Sequence, residues 1–339
     1  MSADAAMQRV DLIGRRDLLR GVCDAVEIDG AAAFFRHTPA VRERYSRPLP
    51  RLRRAYSSAG VRIAFRSDTT ALRLALRCGD GVEWVGLAKC DLFVDGTLAS
   101  FFGPDRPEIG TRWSGLIWRA PDARMREFLL WLPTTRQLLI ESLEIDAGAQ
   151  LQPAPRPARN WLVLGDSITQ GYVTAHPSDG YAALTAAALG LDHHNTAVGG
   201  GTADPALADL ARGIEADLIT VAFGVNDYSH ADAREQFEHN VHDLLTGLRA
   251  ARPDARILWI TPIPYVGFTR RPNRAGLLLA DYTRLIFDQA ARVDRIEVLD
   301  GYPFLPDAPE WFVDNCHPNE PGHALYARAL TRALARETK

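Results

Sequence analysis

Lysine is nearly missing from this chain of 339 residues: among 39 basic residues only Lys89 and Lys339 are lysine, and the rest are arginine. With the many alanines, that skew reads as genome composition and not as a binding signal. No excess of one charge stands out either. The 39 basic residues face 42 acidic ones, a formal net charge of −3, which leaves no polybasic footprint for nucleic acid. No apolar run reaches the roughly 18 residues that a membrane span needs. Cysteine is sparse: Cys23, Cys78, Cys90 and Cys316 show no CxxC spacing. That argues against a disulfide framework or metal site, and reduced thiols in a cytoplasm fit best. Arg15-Arg16-Asp17-Leu18-Leu19 has the outline of a twin-arginine export signal. However, Asp24, Glu27 and Asp29 stand where its apolar stretch belongs, so the segment reads as an ordinary polar N-terminus.

What is present is an ordinary globular composition, 47% apolar and 24% charged, long enough for two domains at about 150 residues each. The first half reads as β. Val61, Ile63 and Phe65 alternate with Arg62, Ala64 and Arg66; Leu72, Leu74 and Leu76 alternate with Arg73, Ala75 and Arg77. Period two on both sides of Ser67-Asp68-Thr69-Thr70 predicts a β-hairpin. Further short strands are expected at Asp91–Val94, Gly115–Trp118, Glu127–Leu132 and Gln137–Ile145, which together suggest an antiparallel, jelly-roll-like β-sandwich over residues 1–152. The prolines of Gln152-Pro153-Ala154-Pro155-Arg156-Pro157 lack the N–H a ladder needs, so residues 153–159 read as an interdomain linker.

From residue 160 to 339 strands and helices alternate. Strands are expected at Trp161–Leu164, His194–Val198, Leu218–Phe223, Arg256–Thr261 and Ile296–Leu299. Helices are expected at Tyr181–Leu189, Pro205–Gly213, Asp232–Arg252, Leu277–Val293 and Glu320–Glu337. Such alternation implies a five-stranded parallel sheet covered on both faces, a flavodoxin-like α/β/α domain.

Four polar clusters lie in this second half: Gly165-Asp166-Ser167, Asn195 through Gly200-Gly201-Thr202, Gly224-Val225-Asn226-Asp227, and Asp314-Asn315-Cys316-His317-Pro318. Three follow the C-terminal ends of predicted strands and the fourth lies after the last one, at the sheet edge where α/β ligand sites form. Their residue types fit one reaction. A serine hydroxyl needs a base to become a nucleophile, and His317 suits that task. Asp314 is placed to orient the imidazole toward Ser167. Negative charge developing on an ester oxygen needs hydrogen-bond donors. The Ser167 N–H, the Gly200 N–H and the Asn226 side-chain amide are the candidates, with Gly199 or Gly201 as substitutes for Gly200.

Those residues also carry a family resemblance. Gly165-Asp166-Ser167-Ile168, Gly200 five residues after Asn195, Gly224-x-Asn226-Asp227 and Asp314-x-x-His317-Pro318 resemble, in order, the four blocks of the SGNH (GDSL) hydrolase superfamily. The resemblance spans residues 161–323 and implies Ser167 as nucleophile. The nucleophile is not in a G-x-S-x-G elbow, which disfavours the ordinary α/β-hydrolase arrangement. In the first half, Ser58–Phe65 and Cys90-Asp91-Leu92-Phe93-Val94-Asp95-Gly96 resemble the β-rich domain with a Gly-x-Asp-Leu-Tyr motif that precedes some SGNH domains. Asp91 and Leu92 match; Lys89 and Phe93 depart from the pattern. The arrangement is similar to two-domain acetyl-carbohydrate esterases and to a salicylyl acyltransferase of polyketide tailoring.

The expectation is therefore a serine esterase for short, acetyl-type esters of a carbohydrate or small polar metabolite. It would act through an acyl-enzyme, with no metal or organic cofactor and with no nucleic-acid or membrane partner. Transfer of the acyl group to an alcohol at the same site is one alternative, and a non-catalytic binding module on the same fold is another. Tyr172, Tyr228, Tyr265 and Trp311 are candidate pocket walls. Asp227 is expected to bond local backbone. His193 and His194 are read as surface residues, His239 and His242 as a solvated helix face, and Cys316 as inert. The arginine-rich stretch Arg42–Arg54, with Pro48 and Pro50, reads as a solvated loop.

Overall fold

The computed structural model describes residues 6–47, 49–81, 88–231 and 233–335. Pro48, Asp232 at the expected start of one helix, and residues 336–337 at the expected end of the last lie outside the described residues. The chain forms two units. One takes the residues up to Arg36, Tyr56–Arg156 and Ala175–Ser178; the other takes His37–Ala55, Pro157–Thr174 and the chain from Asp179 onward. The main crossing, at Arg156/Pro157, falls in the proline-rich segment. Two short excursions, 37–55 and 175–178, carry chain from each half into the other unit.

The first unit is built from two six-stranded sheets of antiparallel pairs. In the first, the order is β3 (Asp24–Ile28), β4 (Ala31–Phe35), β11 (Arg136–Asp146), β6 (Ala71–Gly81) and β9 (Arg112–Arg119), with β1 (Met7–Arg9) also on β11. In the second it is β12 (Leu151–Pro153), β5 (Arg62–Ser67), β10 (Arg126–Trp131), β7 (Cys90–Val94) and β8 (Thr97–Phe102), with β2 (Leu19–Arg20) also on β5. Residues from both sheets share one core: Ile63, Phe65, Phe128 and Leu130 meet Leu72, Leu74, Leu76 and Ile140. Burying each such side chain contributes about 1.5–3 kcal/mol. Leu18 and Leu19, from the twin-arginine-like segment, are part of that core.

The expected hairpin is not one. β5 pairs with β10, β12 and β2, whereas β6 pairs with β11 and β9, so Ser67–Thr70 carries the chain from one sheet to the other. Side chains hold this corner. Ser67 Oγ accepts the Thr69 N–H, and Asp146 Oδ2 accepts the Thr70 N–H and hydroxyl at 2.6 Å each. The proline segment differs too. Leu151–Pro153 still pairs with β5, with Pro153 at the end of the ladder opposite Phe65, where a missing N–H does least harm.

The second unit centres on five parallel strands in the order β14 (Leu191–Asn195), β13 (Arg159–Gly165), β15 (Leu218–Ala222), β16 (Arg256–Ile260) and β17 (Ile296–Leu299). This is the 2-1-3-4-5 order of flavodoxin-like sheets. Nine helices are described in the chain, and seven follow β13 onward: α3 (Ser167–Gln170), α4 (Tyr181–Leu189), α5 (Ala208–Gly213), α6 (Val225–His230), α7 (Arg234–Ala251), α8 (Leu279–Ala290) and α9 (Glu320–Leu334). β14 comes three residues earlier than expected. Gly190, at φ +61°, ends α4, and the chain enters the strand at once. That places His193 inside, 1% exposed and near the Trp161 ring, so its reading as a surface residue is corrected.

The arginine-rich stretch is also not a loop. It forms α1 (Pro39–Arg44) and α2 (Leu49–Tyr56). The start of α1 carries two helix signals, Thr38 accepting the Val41 N–H and Pro39 in the first turn. Among the described residues, no helix is long and apolar enough to cross a membrane.

Candidate active site

Ser167 stands where β13 gives way to α3. Asp166 caps that helix, its Oδ1 accepting the Ile168 N–H at 3.0 Å. The turn is so tight that a Cβ on Gly165 would lie 2.2 Å from Thr169 Oγ1, which leaves glycine as the residue that fits. In the first turn of a helix the Ser167 N–H has no carbonyl four residues back to meet.

His317 and Asp314 come from the loop between β17 and α9, closed by a bridge between Phe312 and Pro318. Ser167 Oγ lies 2.8 Å from His317 Nε2, and His317 Nδ1 lies 2.7 Å from Asp314 Oδ2. Burial raises the Asp314 carboxyl, but hydrogen bonds from the His317 ring and from the His317 and Cys316 N–H groups outweigh it and bring it down to about 2. An ionised carboxylate only accepts, so Nδ1 is the nitrogen that donates to Asp314, and the tautomer with its proton there presents Nε2 as the acceptor for the serine hydroxyl. Tyr172 stacks against the His317 ring at 5.8 Å and is itself 1% exposed. It therefore backs the imidazole and does not line an open pocket.

The second cluster follows β14. Asn195 Nδ2 donates to the Thr169 carbonyl and its Oδ1 accepts the Ala197 N–H, which pins this loop to α3. Val198 through Gly201 then form a β-turn closed by the Gly201 N–H on the Val198 carbonyl at 2.8 Å, with Gly200 at φ +74°. In the third cluster, Asn226 Nδ2 donates to the Gly201 carbonyl at 3.0 Å and contacts Asp166 Oδ2 at 3.3 Å. Asp227 is fully buried, and its Oδ1 accepts the Ala203 N–H. That bond reaches 24 residues along the chain and ties the third cluster to the second. Burial also raises the Asp166 carboxyl, to about 6.

Tyr228 and Tyr265 line a cleft of about 360 Å³ together with Phe268, Arg271, Asn273 and Arg274. The Tyr228 hydroxyl donates to the Arg271 and Phe268 carbonyls. Burial is the main reason the Tyr265 phenol is raised, and Asp314 adds to it. Trp311 sits in a short 3₁₀ turn, packed against the core of this unit, its carbonyl accepting the Asn319 N–H. Burial pushes the Cys316 thiol up, in keeping with an inert cysteine. His239 is exposed beside Asp243, and among the described residues no cluster of metal ligands occurs.

Sequence reasoning missed Gln170 and Arg54. Gln170 Oε1 accepts the Gly199 N–H at 2.8 Å, and Arg54 Nη1 donates to the Gly199 carbonyl at 2.8 Å. A side-chain amide three residues after the serine was a faint signal for the first. No signal tied Arg54 to a glycine 145 residues downstream. In the first unit, Asp91 of the Gly-x-Asp-Leu-Tyr-like motif is fully buried. It accepts from His176 Nδ1 at 2.7 Å and from the Ser178 N–H and hydroxyl, a structural role for that motif.

Residues 163–325 match the GDSL-like lipase/acylhydrolase family. Among solved structures, a salicylyl-acyltransferase, SsfX3, from a tetracycline biosynthetic pathway is 24% identical. It covers 98% of this chain and 95% of its own, with a TM-score of 0.82. A family two carbohydrate esterase from Cellvibrio japonicus is 18% identical over 97% of each chain, TM-score 0.69. An acetyl xylan esterase, Est2A, of the rumen bacterium Butyrivibrio proteoclasticus is 17% identical over 98% of each, TM-score 0.66. No curated protein matched the sequence. At these identities the structural likenesses establish the fold. Residues 163–325 thus resemble the GDSL-like lipase/acylhydrolase family, within a two-domain fold that these structures share along nearly their whole length.

Proposed function

We propose that the protein is a serine esterase acting on short acyl esters, of acetyl type, carried by a carbohydrate or small polar metabolite. The observation that carries this reading is the unbroken hydrogen-bond chain from Ser167 Oγ through both nitrogens of His317 to Asp314. Ser167 attacks the ester carbonyl while His317 Nε2 takes its proton. The imidazolium is stabilised by the ionised Asp314. Collapse of the tetrahedral intermediate breaks the bond to the alcohol, which leaves with the proton from Nε2. Water then attacks the acyl carbonyl while His317 Nε2 takes its proton; the bond from the acyl carbon to Ser167 Oγ breaks, that oxygen regains the proton from Nε2, and the acid departs. The oxyanion is met by the N–H groups of Ser167 and Gly200 and by the Asn226 amide, whose longer contact to Asp166 is the one to yield when charge arrives.

The acetyl and carbohydrate parts of this reading are supported by the likeness to the acetyl xylan esterase. Acyl transfer to an alcohol in place of water is supported by the likeness to the salicylyl-acyltransferase. A bare binding module has no use for all three residues. The four free cysteines favour a reducing compartment such as the cytoplasm.

Labelling with a serine-directed fluorophosphonate tests the nucleophile: wild type is expected to label and Ser167→Ala not to. Hydrolysis of p-nitrophenyl esters from acetyl to octanoyl should fall with chain length. Product analysis with added alcohols separates hydrolysis from transfer. An unlabelled wild-type protein without esterase activity would overturn the proposal.

A further inference from the structure

Resting on the oxyanion role just proposed for Gly200, we infer that Arg54 is a positioning residue that latches the Gly199–Gly200 peptide with its N–H turned toward the substrate oxygen. The turn Val198–Gly201 has a positive φ at its third residue, Gly200, and not at its second, Gly199. This is the type II pattern. Types I and II differ by a flip of the central peptide, here the one joining Gly199 to Gly200. With glycine at both positions, sterics do not choose between the two. In one orientation the Gly200 N–H faces one way; in the other the Gly199 carbonyl takes its place.

Arg54 makes that choice. Its Nη1 donates to the Gly199 carbonyl at 2.8 Å. Across a planar trans peptide the N–H points opposite to the C=O, so holding that oxygen at Arg54 aims the Gly200 N–H away from it. Among the described residues the Gly200 N–H donates no hydrogen bond, as an oxyanion donor awaiting charge requires. Arg54 approaches so closely that a Cβ on Gly200 would stand 2.6 Å from Nη1.

The anchor is itself held. The Gln170 side chain takes the Gly199 N–H through Oε1 and reaches the Arg54 carbonyl with Nε2 at 3.5 Å. The segment bearing Arg54 is tied to the same loop twice more. His37 Nε2 lies 2.9 Å from the Thr196 carbonyl, and Arg44 Nε donates to Asp204 Oδ2 at 2.9 Å. Residues 37–55, which the chain lends to the second unit, therefore set the geometry of a turn on which transition-state stabilisation depends.

The test uses the full chain with p-nitrophenyl acetate as substrate and a trifluoromethyl ketone, whose serine adduct carries an oxyanion, as probe. Arg54→Met should lower kcat about 10–100-fold, the range of one charge-assisted hydrogen bond, with KM within about twofold. Ketone affinity should weaken by the same factor. Arg54→Lys, which can restore one donor, should fall between the two. Should Arg54→Met fail to fold, Arg54→Lys and Arg54→Gln carry the same comparison. The latch is overturned if kcat and ketone affinity are unchanged. A raised KM at constant kcat also overturns it, because Arg54 would then be holding substrate. If wild type itself neither turns over the ester nor labels with fluorophosphonate, the esterase reading has failed and the latch falls with it. An active wild type with indifferent Arg54 variants sinks the latch alone.

Discussion

Asp314 grips His317 at two points. Its Oδ2 meets ring Nδ1 at 2.7 Å, and its Oδ1 accepts the backbone N–H of the same histidine at 2.7 Å. The three-residue spacing makes this possible, because the loop bends just enough for one carboxylate to hold both the ring and the backbone behind it. With the Cys316 N–H as a third donor, the carboxyl is drawn to about 2. A carboxyl depressed in the fold stabilises it above its unfolded value of about 3.9, and that contribution is lost as pH falls through about 2. Asp314 therefore stays ionised throughout the range in which an esterase is assayed.

Asp314→Asn tests the orienting role. The new amide can still accept the backbone N–H, but its NH₂ would face Nδ1 and force that nitrogen to accept. The ring proton then moves to Nε2, which can no longer take a proton from Ser167. The expected loss in kcat is up to about 10⁴, as in other serine triads, at nearly constant melting temperature. Unchanged kinetics would remove Asp314 from the mechanism.

Ser167→Ala and His317→Ala should each abolish turnover of p-nitrophenyl acetate while the circular dichroism spectrum is kept. Because the two act as one unit, the double variant should be little worse than either single one. Retention of more than a few per cent of wild-type rate by Ser167→Ala would mean that another group is the nucleophile.

Asp166 gives a prediction about stability. Burial lifts its carboxyl to about 6, so between about pH 4 and 6 the unfolded chain sheds its proton first and the fold loses stability as pH rises. Above pH 6 the cost levels off at no more than about 3 kcal/mol. Asp166→Asn keeps an oxygen to cap the Ile168 N–H and removes the charge. Its melting temperature should exceed that of wild type by a few degrees at pH 8 and match it at pH 4. An offset equal at both pH values would show that ionisation is not the cause.

The strands of both units were legible wherever apolar residues alternate or run together, as in Val61–Phe65 and Leu218–Ala222, because burial on one or two faces writes itself into the local pattern. Where those strands pair was not legible. The polar corner Ser67–Thr70 has the same composition whether the chain turns back or crosses to the facing sheet, and the decisive contact is with Asp146, 76 residues on. Arg42–Arg54 hid two helices behind prolines and like charges. The Thr38-Pro39 start signal was present, but the partners that order the segment, Gly199 and Asp204, are remote in sequence. The four site clusters were visible because each is a compact polar block, three of them directly after a strand and the fourth in the loop beyond the last one. How a carbonyl at 199 is aimed was not, since that depends on a side chain from another part of the chain.

Asn226 offers the sharpest choice between roles. Its amide donates to the Gly201 carbonyl and contacts Asp166, so it is both a brace for the glycine turn and a candidate oxyanion donor. Asn226→Ala should lower kcat about 10²–10³-fold with little change in KM, because the bond strengthens only as charge develops. Asn226→Asp should be worse. A carboxylate donates nothing to the oxyanion, repels it, and faces both the Gly201 carbonyl and the Asp166 carboxyl with like charge. If Asn226 serves only the start of α6, the order reverses, since aspartate suits the first turn of a helix better than alanine does. Measuring kcat, KM and melting temperature for both variants decides between these roles. An aspartate variant more active than the alanine one would leave Asn226 a structural residue and the hole with two backbone donors.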